Sequence, residues 1–312
     1  MNGEEIRMPF SSTVQVFGLG QCSLDYIGEI PSYPRSDTKC EFTGLTVEGG
    51  GPVATALVAL SRWGIRCAFS GVIGDDSFGT MIRRSLEGER IDTLGLLARA
   101  DTLSQFAFIA VEPGSGRRTI FWQRPTGENP QPGEVQFDRI RRSSVLHTDG
   151  IFPEACLEAC REARKAGVPV VVDAGSWREG LLEIARESDY FIAAEAFGTA
   201  IAGNEDPLDA CRKIAGLGPR LAAVTLGRRG YAALADGKEL TRPAHSAVVR
   251  DTTGCGDVFH AGFIYGLLQG WNEEKSLDLA AWSAARVSTR MGGRAGIPSL
   301  DDLRKRCRKT EQ

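Results

Sequence analysis

Strands and helices alternate regularly through the second half of the 312-residue chain. Short apolar runs bounded by turn residues predict strands, and segments with apolar residues three or four apart predict helices. The strands are expected at Ser144–Thr148, Val168–Asp173, Tyr190–Ala193 and Leu221–Leu226, and the helices at Glu154–Ala166, Phe197–Ala202 and Leu208–Leu217. This alternation indicates an α/β fold with a mostly parallel sheet covered by helices.

Further regular segments extend this core on both sides. They are a first strand over Thr13–Gly20, helices over Val53–Trp63 and Phe78–Leu86, a strand over Cys67–Ile73, and late helices over Gly254–Gln269 and Glu273–Arg290. An α/β unit of this length can form one domain, so we expect a single domain over residues 1–312.

Two stretches, about 26–47 and 103–124, do not follow the alternation. The first contains Pro31 and Pro34 among charged residues, and the second predicts a hairpin of Ser104–Glu112 and Arg118–Gln123 joined by Pro113–Gly116. We expect them to pair as a small β-sheet that covers the open end of the main sheet as a lid. Ligands bind at that end of parallel sheets.

Composition excludes several classes of partner. The net charge is −3 and no basic block occurs, so we expect no nucleic-acid partner; the interrupted basic run 304–309 predicts a solvated helix face. No apolar run approaches the roughly 18–20 residues that span a membrane, and Met1–Ser12 lacks a signal-peptide core. Eight cysteines without a CxxC pair indicate reduced thiols in the cytoplasm.

The run from Asp251 to Phe263, DTTGCGDVFHAGF, carries the chemistry. Gly254, Cys255 and Gly256 begin a helix, where unpaired N–H groups and the helix dipole favour anions. A carboxylate at position 257 is a poor phosphate ligand there. It is suited to take a proton from an attacking hydroxyl while the amides hold charge on a phosphoryl group. A simple helix cap needs only one such residue.

A dinucleotide site is not expected. Gly18-Leu-Gly20 superficially suggests one, but the fingerprint requires a third glycine where Ser23 stands.

These motifs resemble the ribokinase-like, or PfkB, carbohydrate kinases. The resemblance rests on DTTGCGDVFHAGF, on EGGGPVATALVALSRWG from Glu48, on GVIGDDSFG from Gly71 and on VTLGRRG from Val224. It implies a three-layer α/β/α core, ATP as phosphoryl donor and Mg²⁺. It also implies a homodimer that packs through the lid.

The resemblance implies a role for each matching residue. Asp257 is the base, and the turn of Gly254, Cys255 and Gly256 is the anion hole. The remaining matches are Asp25, Gly50 and Gly51 for the sugar, Thr225, Gly227 and Gly230 for the nucleotide, and Asp251 and Thr253 for a monovalent cation such as K⁺.

Three positions depart from the family pattern. Thr55 stands where asparagine is usual, so a substrate hydroxyl is met differently. The Asn-x-x-Glu motif is replaced by Ala193–Phe197, in which Glu195 either orients a metal-bound water or is a surface residue. MGGRAGIP from Met291 resembles a branch with ketohexokinase- and sulfosugar-kinase-like members, and places Arg294 near phosphate or in a structural loop.

Substrate choice is expected to depend on lid residues. Lys39 is an isolated cation that either meets an anionic substrate or is simply exposed. Asp173 either serves the site or caps a segment. Other candidates are Gln105, Phe108, Arg118, Trp122, Gln123 and Arg124; which of them face the cleft depends on strand orientation.

The favoured function is ATP-dependent phosphorylation of a hydroxymethyl group of a sugar or sugar derivative. One alternative is a nucleoside kinase, in which Phe108 or Trp122 stacks on the base. Another is a sensor that binds sugar or nucleotide with the same fold but without catalysis.

Overall fold

The computed structural model describes residues 14–112 and 117–309. Its strands are β1 (Val16–Leu19), β2 (Ser23–Glu29), β3 (Gly44–Gly50), β4 (Cys67–Gly74), β5 (Asp92–Arg99), β6 (Phe106–Val111), β7 (Arg118–Gln123), β8 (Val145–Thr148), β9 (Val170–Ala174), β10 (Tyr190–Ala194), β11 (Leu221–Thr225), β12 (Tyr231–Ala235) and β13 (Lys238–Arg242).

The α-helices include two short ones, at 137–140 and 181–186, that the sequence patterns did not predict. They are α1 (Pro52–Arg62), α2 (Ser77–Gly88), α3 (Phe137–Ile140), α4 (Pro153–Lys165), α5 (Leu181–Arg186), α6 (Glu195–Ala202), α7 (Pro207–Ala215), α8 (Cys255–Leu268), α9 (Glu273–Val287) and α10 (Leu300–Lys309). The basic run 304–309 lies in α10. No helix among the described residues is both long and apolar enough to cross a membrane.

The main sheet has nine strands in the order β13-β12-β11-β10-β9-β8-β1-β4-β5. All neighbours are parallel except β11–β12 and β12–β13. The strands β5, β12 and β13 have no counterpart in the sequence analysis. Alanine-rich β12 has weak strand propensity, and its ladder partners on β11 and β13 decide its conformation.

Helices cover both faces of this sheet. On one face, α1, α8 and α9 enclose a buried apolar cluster that includes Leu57 and Phe263. On the other, α4 to α7 enclose a second cluster that includes Phe191 and Phe197. The expected three-layer α/β/α core is confirmed.

The four remaining strands form the lid sheet, in the order β3-β2-β6-β7. Its first chain segment begins earlier than expected, because the chain turns after Leu19 and starts β2 at Ser23. Asp25 therefore lies within the lid sheet, six residues after the last residue of β1. The Pro113–Gly116 turn and Met1–Ser12 lie outside the described residues.

Candidate active site

Polar side chains collect where the parallel strands end. Asp149 follows β8, Asp173 is the fourth residue of β9, Glu195 follows β10 and Thr225 ends β11. The start of α8 is joined to this edge, since the His260 Nε2 atom lies 3.3 Å from the carbonyl oxygen of Ile192. This is the edge at which open α/β sheets bind ligands.

The turn before α8 has a shape that only glycine permits. Gly254 caps the helix with a φ of 74°, and a Cβ atom there would lie 2.5 Å from the Cα of Gly293. The N–H of Cys255 makes only a long bond of 3.4 Å to the carbonyl of Thr252. The first-turn amides, including that of exposed Gly256, are therefore available to an anion.

Asp257 lies in the first turn of α8 and is partly buried. Its pKa is raised to about 8, chiefly by loss of water around the carboxylate and then by the charge of Asp173, with a smaller contribution from Asp25; the charges of Arg118 and Arg294 oppose the shift. Four charged side chains, two acidic and two basic, therefore act on Asp257. A carboxylate with this pKa is well matched to accept a proton near neutral pH.

A buried histidine ties Asp173 to the helix start. The Nδ1 atom of His260 lies 3.3 Å from the carboxylate of Asp173 and 2.8 Å from the carbonyl oxygen of Gly256. Asp173 is 5% exposed. His260 thus contacts both the anion turn and the residue whose charge raises the pKa of Asp257.

Asp25 faces the same region from the lid. Its carboxylate is 8% exposed and accepts a 2.6 Å hydrogen bond from the Ser23 hydroxyl. Burial is the main reason that its pKa is raised. A Cβ atom on Gly50 would lie 2.0 Å from the Asp25 carboxylate, so only glycine allows this close approach.

Gly51 and Thr55 continue from β3 into α1. The carbonyl of Gly51 accepts the backbone N–H of Thr55 at 2.9 Å. Thr55 is 2% exposed, and its hydroxyl makes no hydrogen bond to the described residues. It is therefore available to a ligand hydroxyl.

The strand register decides which lid residues face the cleft. One cross-strand row joins Glu48, Asp25, Ala107 and Trp122. The next row joins Tyr26 and Phe108 with Val47 and Phe121. Because neighbouring residues of a strand point to opposite faces, Trp122 shares the face of Asp25.

Phe108 points away from the cleft. Its ring lies 5.2 Å from that of Phe42 and 6.2 Å from that of Phe121. Of the two aromatic candidates for stacking on a base, only Trp122 remains. Gln123 lies in the outward row with Phe106.

The two other substrate candidates differ in position. Gln105 precedes β6, is 7% exposed, and its carbonyl accepts the N–H of Leu24 at 3.1 Å, one residue from Asp25. Lys39 is exposed in the segment between β2 and β3, and it has no ion pair or hydrogen bond with the described residues. The contacts therefore link Gln105, but not Lys39, to the site.

Asp251 connects the anion turn to the loop after α9. One carboxylate oxygen accepts the N–H and the hydroxyl of Thr253, each at 2.8 Å. The other accepts the N–H of Gly292 at 2.8 Å. Asp251 is fully buried, so this contact fixes the turn in place.

Arg294 is buried between the lid and the core, and its charge lowers the pKa of both Asp25 and Asp257 against the larger effect of burial. It is 5% exposed, donates a 2.8 Å hydrogen bond to Ser85, and packs against the backbone of Gly49. The N–H of Gly293 donates to the carboxylate of Glu48. This loop joins the lid to the core, which agrees with the structural alternative.

The expected nucleotide loop follows β11. Gly227 and Gly230 bound a short 3₁₀ turn, and the Thr225 hydroxyl donates a 3.3 Å bond to the carbonyl of Ala193. Glu195 forms an ion pair with Arg229 of this loop. Glu195, which stands where the family has its Asn-x-x-Glu motif, is thus exposed beside the candidate nucleotide site.

Arg118 links the lid to the anion turn. It lies on the cleft face of β7, and its guanidinium donates to the hydroxyl of Thr252. Its charge lowers the pKa of both Asp257 and Cys255 against the larger effect of burial. A lid cation is therefore present beside the anion hole.

The family model for pfkB family carbohydrate kinases matches residues 15–300. The chain belongs to this family. It is therefore a carbohydrate kinase, an ATP-dependent phosphotransferase, by class.

Known relatives of this kinase are distant in sequence. The aminoimidazole riboside kinase of Salmonella typhimurium is 27% identical over 93% of each chain. Ribokinase of Thermotoga maritima has a TM-score of 0.81 at 21% identity, covering 95% of this chain and 99% of that one. Arabidopsis thaliana ribokinase, solved with ribose and ATP, has a TM-score of 0.80 at 21% identity, covering 94% and 98%. The structural likeness shows the fold.

Asp149 is a residue of this kinase that the sequence analysis missed. It is 1% exposed and accepts the backbone N–H groups of Gln21 and Ile151, each at 3.0 Å. Burial raises its pKa to about 6. The available signal was its position after a strand, the same signal that singled out Asp173.

Proposed function

We propose that this kinase transfers the γ-phosphoryl group of ATP to a hydroxymethyl group of a sugar or sugar derivative, with Asp257 as base. One observation carries the proposal: a carboxylate with a pKa near 8 lies in the first turn of α8, beside amides that are free to bind an anion. Asp25, on the facing lid strand, supports a sugar position opposite this turn.

In the proposed reaction, the hydroxyl oxygen forms a bond to the γ-phosphorus as the bond to the bridging oxygen of ADP breaks. The hydroxyl proton passes to Asp257, and ADP leaves with the electron pair of the broken bond. Gly254 and Gly256 direct amides at the equatorial oxygens, where charge is stabilised. Arg118 adds a positive charge from the lid.

The nucleotide is proposed to bind along the loop from Thr225 to Gly230. Mg²⁺, when bound, neutralises phosphate charge. The described residues contain no group of three His, Cys, Asp or Glu side chains that could hold a metal. We propose that the ion would be held mainly by phosphates and water, and that Glu195 would contribute through water after leaving Arg229.

A monovalent cation such as K⁺ is proposed beside the anion turn. Asp251 and Thr253 are the candidate ligands. The Asp251 carboxylate already accepts three hydrogen bonds, which leaves about one of its four acceptor positions for a cation. The remaining ligands would have to be backbone carbonyls.

The decisive experiment is Asp257→Asn in an ADP-release assay over ketoses, aldoses, sugar acids and nucleosides. We expect turnover to fall about 10³-fold, because the general base is lost, while ATP affinity is unchanged. Asp236→Asn, at an exposed turn, is the control and should match the wild type. Turnover in Asp257→Asn within tenfold of the wild type would refute the proposed base.

A nucleoside acceptor is the second candidate, favoured by one observation. Trp122 is 50% exposed on the cleft face, in the same cross-strand row as Asp25. A base could stack on this ring. In the acceptor screen, Trp122→Ala would reduce kcat/KM for nucleosides selectively if this candidate is right.

A homodimer through the lid is also proposed. The outer face is the face of the lid sheet that points away from the cleft. On it, Leu45 and Phe121 are 57% and 49% exposed, and Phe42 and Val47 are exposed beside them. Such a contiguous apolar face is typical of a protein interface. A second copy of this face would bury it symmetrically.

The outer face can be tested without touching the cleft. In sedimentation velocity at micromolar concentration, the wild type should be dimeric and Phe121→Glu monomeric, with ATP binding retained. Val248→Glu is the matched control, because Val248 is 88% exposed and lies outside the lid sheet. A monomeric wild type would contradict the dimer.

A further inference from the structure

We propose that the acceptor carries an anionic group, which binds Arg124 and Gln105 in a cavity at the edge of the lid sheet. This inference rests on the proposed function and names its substrate class. The cavity is a small, solvent-open one of about 50 Å³ between the lid and the ends of the core strands.

Arg124 is the cationic side chain that lines this cavity. Its guanidinium carbon lies 5.0 Å from the centre of the Trp122 ring, so the aromatic face supports the planar group. Among the described residues it has no carboxylate partner and makes no hydrogen bond. Arg124 is exposed, so its donors face solvent, and the stacked guanidinium is suited to bind an oxyanion through two parallel hydrogen bonds.

Gln105 provides an independent observation. Its side chain is 7% exposed and lines the cavity, yet its amide makes no hydrogen bond to the described residues. The amide is not sealed from solvent, so it can exchange water for a ligand oxygen. A ligand oxygen in the cavity would satisfy it.

The cavity and the proposed sugar site share one cross-strand row of the lid sheet. Asp25, Ala107 and Trp122 are cross-strand neighbours on β2, β6 and β7. Two strand spacings separate Asp25 from Trp122, about 10 Å between backbones. The small Ala107 side chain between them leaves room for a ligand. A sugar derivative of about six carbons could place hydroxyls at Asp25 and its anionic end at Arg124.

The floor of the cavity is apolar, and its walls do not offer a carboxylate. Cys22, Val72 and Phe152 line it with Gln21, whose N–H is already held by Asp149. The Asp149 carboxylate lies one hydrogen bond behind this floor, so the attraction of Arg124 for an anion must outweigh its repulsion. Carboxylate, sulfonate and phosphate groups share the chemistry that Arg124 would recognise.

The test compares three acids, an aldonate, a sulfosugar and a sugar phosphate, each with its uncharged counterpart. For at least one pair, wild-type kcat/KM should favour the acid by tenfold or more. In Arg124→Gln that preference should disappear, while activity on the uncharged counterpart and KM for ATP stay unchanged. Arg142→Gln is the matched control, because Arg142 is exposed and lies outside the lid sheet.

Direct binding separates this inference from the proposed function. Titration calorimetry of the same acids, with a non-hydrolysable ATP analogue present, should show binding to the wild type and to Asp257→Asn, and at least tenfold weaker binding to Arg124→Gln. This result would support the anion site even if Asp257 is not the base. A wild type that prefers uncharged sugars, or an Arg124→Gln protein that binds acids normally, would overturn it.

Discussion

Asp257→Asn should make the folded protein more stable as it removes activity. The carboxyl ionises near pH 3.8 in the unfolded chain and near pH 8 in the folded protein. Ionised Asp257 is therefore a destabilising group. The difference of about four pH units corresponds to about 6 kcal/mol at 1.36 kcal/mol per unit. The carboxylate is only partly buried and water in the cleft screens it, so we expect about half of this, about 3 kcal/mol.

The gain in folding stability from Asp257→Asn should depend on pH in a defined way. Below pH 3.8, Asp257 is protonated in both states and the substitution should have no electrostatic effect. The cost of the charge grows as pH rises from 3.8 and is complete above about pH 8, because there the folded state is ionised as well. Asparagine avoids this cost at every pH.

Urea unfolding followed by tryptophan fluorescence at pH 4.5, 7 and 8.5 measures the difference. The stability of Asp257→Asn relative to the wild type should be near zero to 1 kcal/mol at pH 4.5 and about 3 kcal/mol at pH 8.5. Asp236→Asn should show no such trend. An equal effect at pH 4.5 and 8.5, or a loss of stability at pH 8.5, would refute the electrostatic argument.

Further predictions concern the groups around Asp257. Asp173→Asn removes a like charge and should shift the rising limb of kcat/KM against pH to lower pH by about one unit. Arg118→Gln should shift it to higher pH. If the two variants do not shift this limb in opposite directions, the assigned effects of Asp173 and Arg118 on the pKa of Asp257 are wrong. Gly254→Ala should reduce kcat at least 100-fold, since it strains the turn and displaces Gly293; near-normal kcat would show that the turn tolerates a side chain.

The local chemistry of the site was predictable from sequence. Gly254, Gly256 and Asp257 are neighbours in the chain, and the helix after them follows from apolar spacing. Their arrangement depends on one turn and one helix start, which local conformational preferences largely determine. The alternation of strands and helices predicted the layered core for the same reason.

Other elements depended on distant partners. The position of Asp25 within the lid follows from pairing of β2 with β3 and β6, and a one-residue change in register would turn its side chain to the other face. Strand β12, rich in alanine, is stabilised by β11 and β13 rather than by its own propensity.

The sequence by itself determined the layered α/β core, the helix start with its unpaired amides, and a carboxylate within that turn. Tertiary structure alone decided that Trp122 faces the cleft and Phe108 faces out, that Arg294 is buried against Gly49, and that Arg118 reaches Thr252. The reason is physical. Side-chain direction and charge environment are set by contacts between residues far apart in the chain, and those contacts also raise the pKa of Asp257 to about 8.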